Sequence, residues 1–380
     1  MFRAHPFLLL FTLVGTLTFP ASGHVIHPHS PIRRAAGTVP ALSGSAADIT
    51  SSAGGTYPRA LLLPDGAAIL AAYARASPSD ALDQQIALAR STDSGSTWTD
   101  VGTASTREKA TSDLDNPFLL RLSSGRLLLA FRNHDKSPDG GGYAWYRITI
   151  CYSDDSGESW SFLSTPAELA AAADGGAVGL WEPFLRLASD GTTVQLYYSK
   201  ENGASDQDSI LVTSADGGST WSSERTISGG ASVTARDGML GVASVSGTTL
   251  MAVFETTATG RFTIMSVTST DDGATWGDRK TVYTPAGTDN NAGAPQIINV
   301  GGTLVVSFMT DEDTQEHSWI SGAASKLVTS GDGGETWGNK LQVFEPQANW
   351  PGMLSLEDGA SFLYLSDHSG AKAQKVVLGS

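Results

Sequence analysis

The sequence holds one cysteine, Cys151, in 380 residues, which excludes an internal disulfide. Stability must then come from a core large enough to do without cross-links. Positive charge is scarce: 24 Lys and Arg face 39 Asp and Glu, for a net charge of −15. That excess repels phosphate backbones and anionic bilayers, and argues against a nucleic-acid or membrane partner. It offers no attraction for a polyanionic substrate either. No Asn-x-Ser/Thr acceptor occurs, so N-glycosylation is not expected. No Cys/His cluster with metal-ligand spacing and no Ser-His-Asp arrangement is legible, so neither a metal nor another cofactor is expected.

Long apolar runs are absent except at the start. Arg3 and His5 precede an apolar stretch from Pro6 to Phe19, followed by Ala21-Ser22-Gly23. This is the layout of a secretory signal over residues 1–23, too short and too early for a membrane span. Residues 24–36 include a polar stretch ending in Arg33-Arg34, which suits either a removable pro-segment or a plain tail. A secreted, soluble and monomeric protein is expected, with residues 37–380 as one domain.

What is present is repetition. The pattern S-x-D-x-G-x-[ST]-W begins at Ser91, Ser153, Ser214, Ser269 and Ser330, at intervals of 55 to 62 residues. One such match is weak, but five in register mark a repeat architecture. Asp and Ser side chains bond nearby backbone groups, Gly supplies positive φ, and Trp anchors each unit. One recurring carboxylate per repeat is backbone capping rather than a metal site.

A second repeat counts to six: apolar strand, turn, apolar strand. Its copies begin at Tyr57, Asn116, Glu182, Asp237, Ala294 and Trp350. Runs such as Leu127 to Phe131 suit strands covered on both faces. Six hairpins with five boxes predict an all-β, six-bladed β-propeller of four-stranded antiparallel blades. The hairpins are the inner strands A and B, and the boxes are the C–D turns. In the last blade, Gln374 to Leu378 would be strand C. A segment within Gly37 to Ile49 would supply strand D and close the ring. Ala167 to Ala173 is the one stretch that reads as a short helical turn.

In this topology the starts of A and the ends of B converge on one mouth of the central channel, opposite the boxes. That rim collects Arg59, Asp115, Asn116, Trp181, Glu182, Arg236, Asp237, Glu255 and Trp350, with His134 and His368 as lone rim hydrogen-bonders. Aromatic faces, carboxylates and guanidinium groups together are what a sugar requires. Glycoside hydrolysis needs one protonated and one ionised carboxyl group. Glu182, between Trp181 and Pro183, and Glu255, after the apolar run Leu250 to Phe254, make the best pair. Burial there would raise both pKa values. Asp311, Glu312 and Asp313 read as a solvated loop. Arg59, Asp115, Asn116, Trp181, Arg236, Asp237 and Trp350 are read as substrate-binding.

The five boxes resemble those of the sialidase-like superfamily of Asp-box, or BNR, propellers, and YPRALLLPDG resembles its first inner strand. Sialidases grip a carboxylate with three arginines and attack with a tyrosine. Here GAPQ and NWPG carry no arginine, and Trp350 stands near the tyrosine's place, so sialic acid is not the expected substrate. A nearer resemblance, over essentially the whole chain after residue 36, is to fungal exo-arabinanases of glycoside hydrolase family 93. It rests on DNPFLL, RNHD, LWEPFLR, ARDGMLGV, VFETT, AGAPQIINVGGTLVVSFMTDED and NWPGML. It implies release of arabinobiose from the non-reducing end of linear α-1,5-L-arabinan with retention, Glu182 as nucleophile and Glu255 as acid/base. A sialidase or other exo-glycosidase and a non-catalytic glycan-binding propeller remain as alternatives.

Overall fold

The computed structural model describes residues 38–50, 54–63, 66, 68–172, 176, 178–314 and 319–379. The expected signal and tail, residues 1–36, lie outside them. The described residues form six four-stranded antiparallel sheets. The innermost strands are Thr56–Leu62, Ser112–Arg121, Gly179–Leu187, Gly238–Ser246, Ala292–Val300 and Asn349–Ser355. Each contacts the next and the sixth contacts the first, so the blades close into a ring. In five blades the sheet order follows the chain. In the sixth, Ala371–Gly379 pairs with Val39–Asp48, the fourth strand coming from the other end of the chain. The six-bladed propeller read from the repeats is the observed fold.

Apolar clusters fill every gap between neighbouring blades. Leu70, Leu88, Leu127 and Phe131 lie between the first and second; Leu128, Leu196 and Tyr198 between the second and third. The same arrangement continues around the ring. Cys151 is buried in one of these clusters as a free thiol. Strands covered on both faces explain why the alternating polar pattern of an ordinary sheet is missing here.

The boxes are turns between third and fourth strands, on the face opposite the starts of the inner strands. In the first, the Ser91 hydroxyl donates to Asp93 at 2.8 Å and accepts from the Gly95 N–H at 2.9 Å. Asp93 also accepts from the Thr97 N–H and hydroxyl, and Trp98 Nε1 donates to the Gly95 carbonyl. The other four repeat the Ser–Asp–Gly part of this set. Each box glycine has positive φ and lies against the preceding blade, Gly95 against Leu363 and Gly157 against Leu70. Each box Trp caps the apolar cluster on that same side. Among the described residues no three His, Cys, Asp or Glu could share a metal ion.

Two expectations are corrected. Ala167 to Ala170 continue the strand Ser161–Ala170, with Ala167 opposite Ile148 and Leu169 opposite Tyr146. Ladder pairing and burial override alanine's helical preference. Ala171 and Ala172 lie outside any helix, and residue 173 is outside the described set. The helical turn among the described residues is instead a short 3-10 turn at Gly230–Ser232. Asp311 to Asp313 is a loop as expected, with Asp313 exposed, but its first two side chains are not solvated. Asp311 is buried, and Glu312 is held by Lys326 at 2.7 Å, Lys340 at 2.9 Å and the Tyr283 hydroxyl. These partners outweigh the cost of burial and depress the Glu312 pKa to about 2.

Candidate active site

The site begins with a backbone irregularity repeated in every blade. Near the start of each inner strand one non-glycine residue takes positive φ: Tyr57, Asn116, Glu182, Met239, Ala294 and Trp350, with φ between 42° and 53°. At each, the register slips before the ladder resumes. Five of the six are followed by proline, at positions 58, 117, 183, 295 and 351. A residue without an N–H suits a bulge, where a ladder bond is missing anyway. Strain of about 1–3 kcal/mol per such residue is tolerated because six packed blades hold the hub.

Four of these hub positions are filled by Tyr57, Met239, Ala294 and Trp350, which pack together, Trp350 stacked on Tyr57 at 4.6 Å. Asn116 and Glu182 are the polar exceptions, and Glu182 is the one carboxyl group of the six. The bulge turns it into a cleft of roughly 290 Å³ lined by Arg132, Trp181, Glu182, Glu201, Gln207, Arg236, Met239 and Glu255. The two glutamates singled out in the sequence thus share one cleft. They come from adjacent blades, the third and the fourth.

Both carboxyl groups are poised near neutrality. Burial, and next the neighbouring charge of Glu255, push the Glu182 pKa up to about 8, against the pull of the Ser199 hydroxyl, Arg132 and Arg236. Glu255 is raised to about 7 by burial, moderated by the Ala294 N–H and Arg236. That N–H donates to Glu255 Oε2 at 2.8 Å. Gly293 gives the carboxylate its room: a Cβ there would lie 2.3 Å from Oε2.

Around the pair stands a polar and aromatic frame. Arg236 donates to Glu201 at 2.5 Å, and Trp181 Nε1 donates to the other oxygen of Glu201 at 3.3 Å. Arg132 lies over the Trp181 ring, 5.2 Å from its centroid, and pairs with Asp113 at 3.0 Å and Asp115 at 3.3 Å. Burial first, partly offset by Arg132, raises Asp115 to about 6. His134, Tyr143 and Tyr146 pack edge-on around Trp181. His134 is fully buried rather than on the rim, and burial lowers its pKa to about 3. It is therefore neutral, with its Nε2 proton on the Leu180 carbonyl at 2.9 Å.

The remaining candidates lie apart from the cleft. Arg59 is buried along the axis and donates to the carbonyls of Pro58 and Trp350, at 2.9 and 3.1 Å. Asn116 shares that axial space with it. Asp237 has no exposure and holds Arg279 through both guanidinium nitrogens, at 2.5 and 2.9 Å. His368 is a surface hydrogen-bonder to the Gln347 carbonyl. The cleft's Gln207 and the flanking Tyr143 and Tyr146 escaped the sequence reading. The aromatic stretch YAWYR, just before the second box, was the signal for the two tyrosines.

Comparison places this geometry among known proteins. Solved structures with the same fold include the α-L-arabinanase of Penicillium chrysogenum in complex with arabinobiose. It shares 20% identity with a TM-score of 0.68, over 89% of this chain and 98% of that one. The α-L-arabinofuranosidase of Fusarium graminearum with arabinobiose also shares 20% identity, with a TM-score of 0.67, over 88% and 98%. A sialidase of Streptococcus pneumoniae shares 14% identity with a TM-score of 0.58, over 89% and 70%. No curated protein matches the chain. The model of the BNR repeat-like domain matches residues 67–277 and 164–374. With repeats, ring and turn chemistry in agreement, the chain belongs to the BNR repeat-like family.

Proposed function

We propose that this protein is a secreted glycoside hydrolase that acts on linear α-1,5-L-arabinan from the non-reducing end and releases arabinobiose with retention. The observation that carries the reading is the pair Glu182 and Glu255, both raised toward neutrality in one sugar-sized cleft beside Trp181. Its arabinan specificity is supported by the sequence resemblance and by the two arabinobiose-bound structures of like fold.

The chemistry follows from the pair. One carboxylate attacks the anomeric carbon while the other, protonated, gives its proton to the leaving oxygen. Water then breaks the glycosyl ester, with the second group acting as base. Retention requires the two groups to be roughly 5–5.5 Å apart. The resemblance makes Glu182 the nucleophile and Glu255 the acid/base. The electrostatics of the pair alone order the protons the other way, Glu182 holding its proton to about 8 and Glu255 to about 7. The positive charge that develops on the sugar ring would favour ionised Glu182 during reaction.

The cleft suits a neutral sugar better than an anionic one. Its arginines already have partners: Arg132 holds Asp113 and Asp115, and Arg236 holds Glu201. No three guanidinium groups among the described residues converge there on a substrate carboxylate.

Product analysis on debranched arabinan tests the substrate and mode. Arabinobiose alone is expected; a ladder of oligomers would mean internal attack, and no product would remove the reading. Glu182→Gln and Glu255→Gln should each lower kcat at least ~10³-fold while the fold survives. Azide should restore turnover to a Glu182→Gly variant as the inverted glycosyl azide, and to a Glu255→Gly variant as the retained one. The reverse pattern would exchange the two roles.

A further inference from the structure

Behind Glu182, along the propeller axis, lies a second and much smaller space of about 20 Å³. It is lined by Tyr57, Arg59, Asn116, Glu182 and Gln296 among others. A space of roughly 10–15 Å³ or more holds one water, provided two to four polar groups face it. Three buried atoms here make no hydrogen bond of good geometry within the protein: Oδ1 and Nδ2 of Asn116, whose amide lies near the Tyr57 hydroxyl, and Oε2 of Glu182. Leaving such buried atoms unsatisfied costs stability, because each has given up its hydrogen bond to water.

We propose that this space binds one ordered water molecule, which Asn116 holds against Oε2 of Glu182, making Asn116 a positioning residue for that carboxyl group. The water accepts from Asn116 Nδ2 and donates to Asn116 Oδ1 and Glu182 Oε2, three bonds that satisfy all three atoms. Asn116 then reaches Glu182 from behind, on the side away from the cleft, and has no contact with substrate. A donor on Oε2 stabilises the charged form of Glu182 against its burial. The charged and titratable groups facing Glu182 are Glu255, Arg132 and Arg236, with Tyr57 and Arg59 on the axial side and Asp115 beyond Arg132. None of them donates to Oε2. The position itself is tolerant, because the fourth blade carries Met239 at the equivalent bulge with the same backbone conformation.

The inference rests on the proposed hydrolase only in giving Glu182 chemical work, and its test needs no turnover. A high-resolution crystal structure should show one density peak within hydrogen-bond distance of both Asn116 and Glu182. A space without density would overturn the site. Infrared titration of the Glu182 carboxyl stretch, assigned by its loss in Glu182→Gln, should then be compared with Asn116→Met. Methionine fills the space and removes the water's partners, so the Glu182 midpoint should rise by about 0.5 unit or more. A folded Asn116→Met protein with an unmoved midpoint would reduce Asn116 to packing. Should that variant fail to fold, the wild-type density still decides whether the water site exists. Loss of arabinan activity with the water present would count against the hydrolase and leave the site standing.

Discussion

At the residue scale, the site depends on two carboxyl groups that hold protons at pH values where free glutamates do not. Below about 7 both are protonated, which on the proposed mechanism leaves no carboxylate to attack; above about 8 both are ionised, which leaves that mechanism no acid. The profile of kcat/KM against pH should be a narrow bell between these limits, its limbs belonging to the pair rather than to either residue. The same shifts bear on stability. An ordinary glutamate titrates near ~4.3 in the unfolded chain. A raised folded pKa stabilises the protein fully below that value, and the contribution is lost as pH rises through about 7 to 8. Glu182→Gln should therefore melt close to the wild type at pH 5 and higher than it at pH 9. The expected gain is at least ~2 °C by calorimetry, and equal melting temperatures at pH 9 would contradict the buried charge. These two glutamates were legible because an isolated carboxyl group beside Trp and Pro, or ending an apolar run, stands out in a sequence. Asp237 stood out equally, yet it anchors Arg279 on the outermost strand of its own blade. A rim position gives no notice of which way a side chain turns.

At the element scale, the bulge at the head of each inner strand selects what faces the hub. Five X-Pro steps at matching positions were visible in the sequence, but periodicity alone does not reveal a register slip. Glycines matter here through what they leave room for. Gly293 allows Glu255 to receive the Ala294 N–H, and an added Cβ would also meet the Trp319 ring at 2.7 Å. Both obstructed groups are side chains able to shift, so Gly293→Ala should keep the fold while displacing the carboxylate. A fall of about 10²-fold in kcat with a melting temperature within a few degrees is expected. Unchanged turnover would show that Glu255 does not need its present place. Loops were the least legible elements. Glu312 looked solvated because its partners Lys326 and Lys340 lie on the next two strands, brought together only by the folded blade.

At the scale of the whole molecule, counting repeats was enough to give the number of blades and the seam. Six hairpins against five boxes required one blade to be completed from the other end, and Val39–Asp48 beside Ala371–Gly379 completes it. The missing box also leaves one gap, between the fifth and sixth blades, without a box tryptophan; Phe344, Phe362 and Tyr364 fill it instead. Removing residues 38–48 would expose the edge of Ala371–Gly379 along its length. The truncated chain is expected to aggregate or to lose its single cooperative melting transition, and a soluble protein with wild-type melting would deny the seam any structural weight.

That seam also imposes an order of events during synthesis. Val39–Asp48 leaves the ribosome long before its partner Ala371–Gly379. Five blades can assemble as they emerge, but the sixth waits until Ala371–Gly379 has been made, and Val39–Asp48 stays unmated until then. A ribosome stalled before codon 371 would present a nearly complete ring that still lies open.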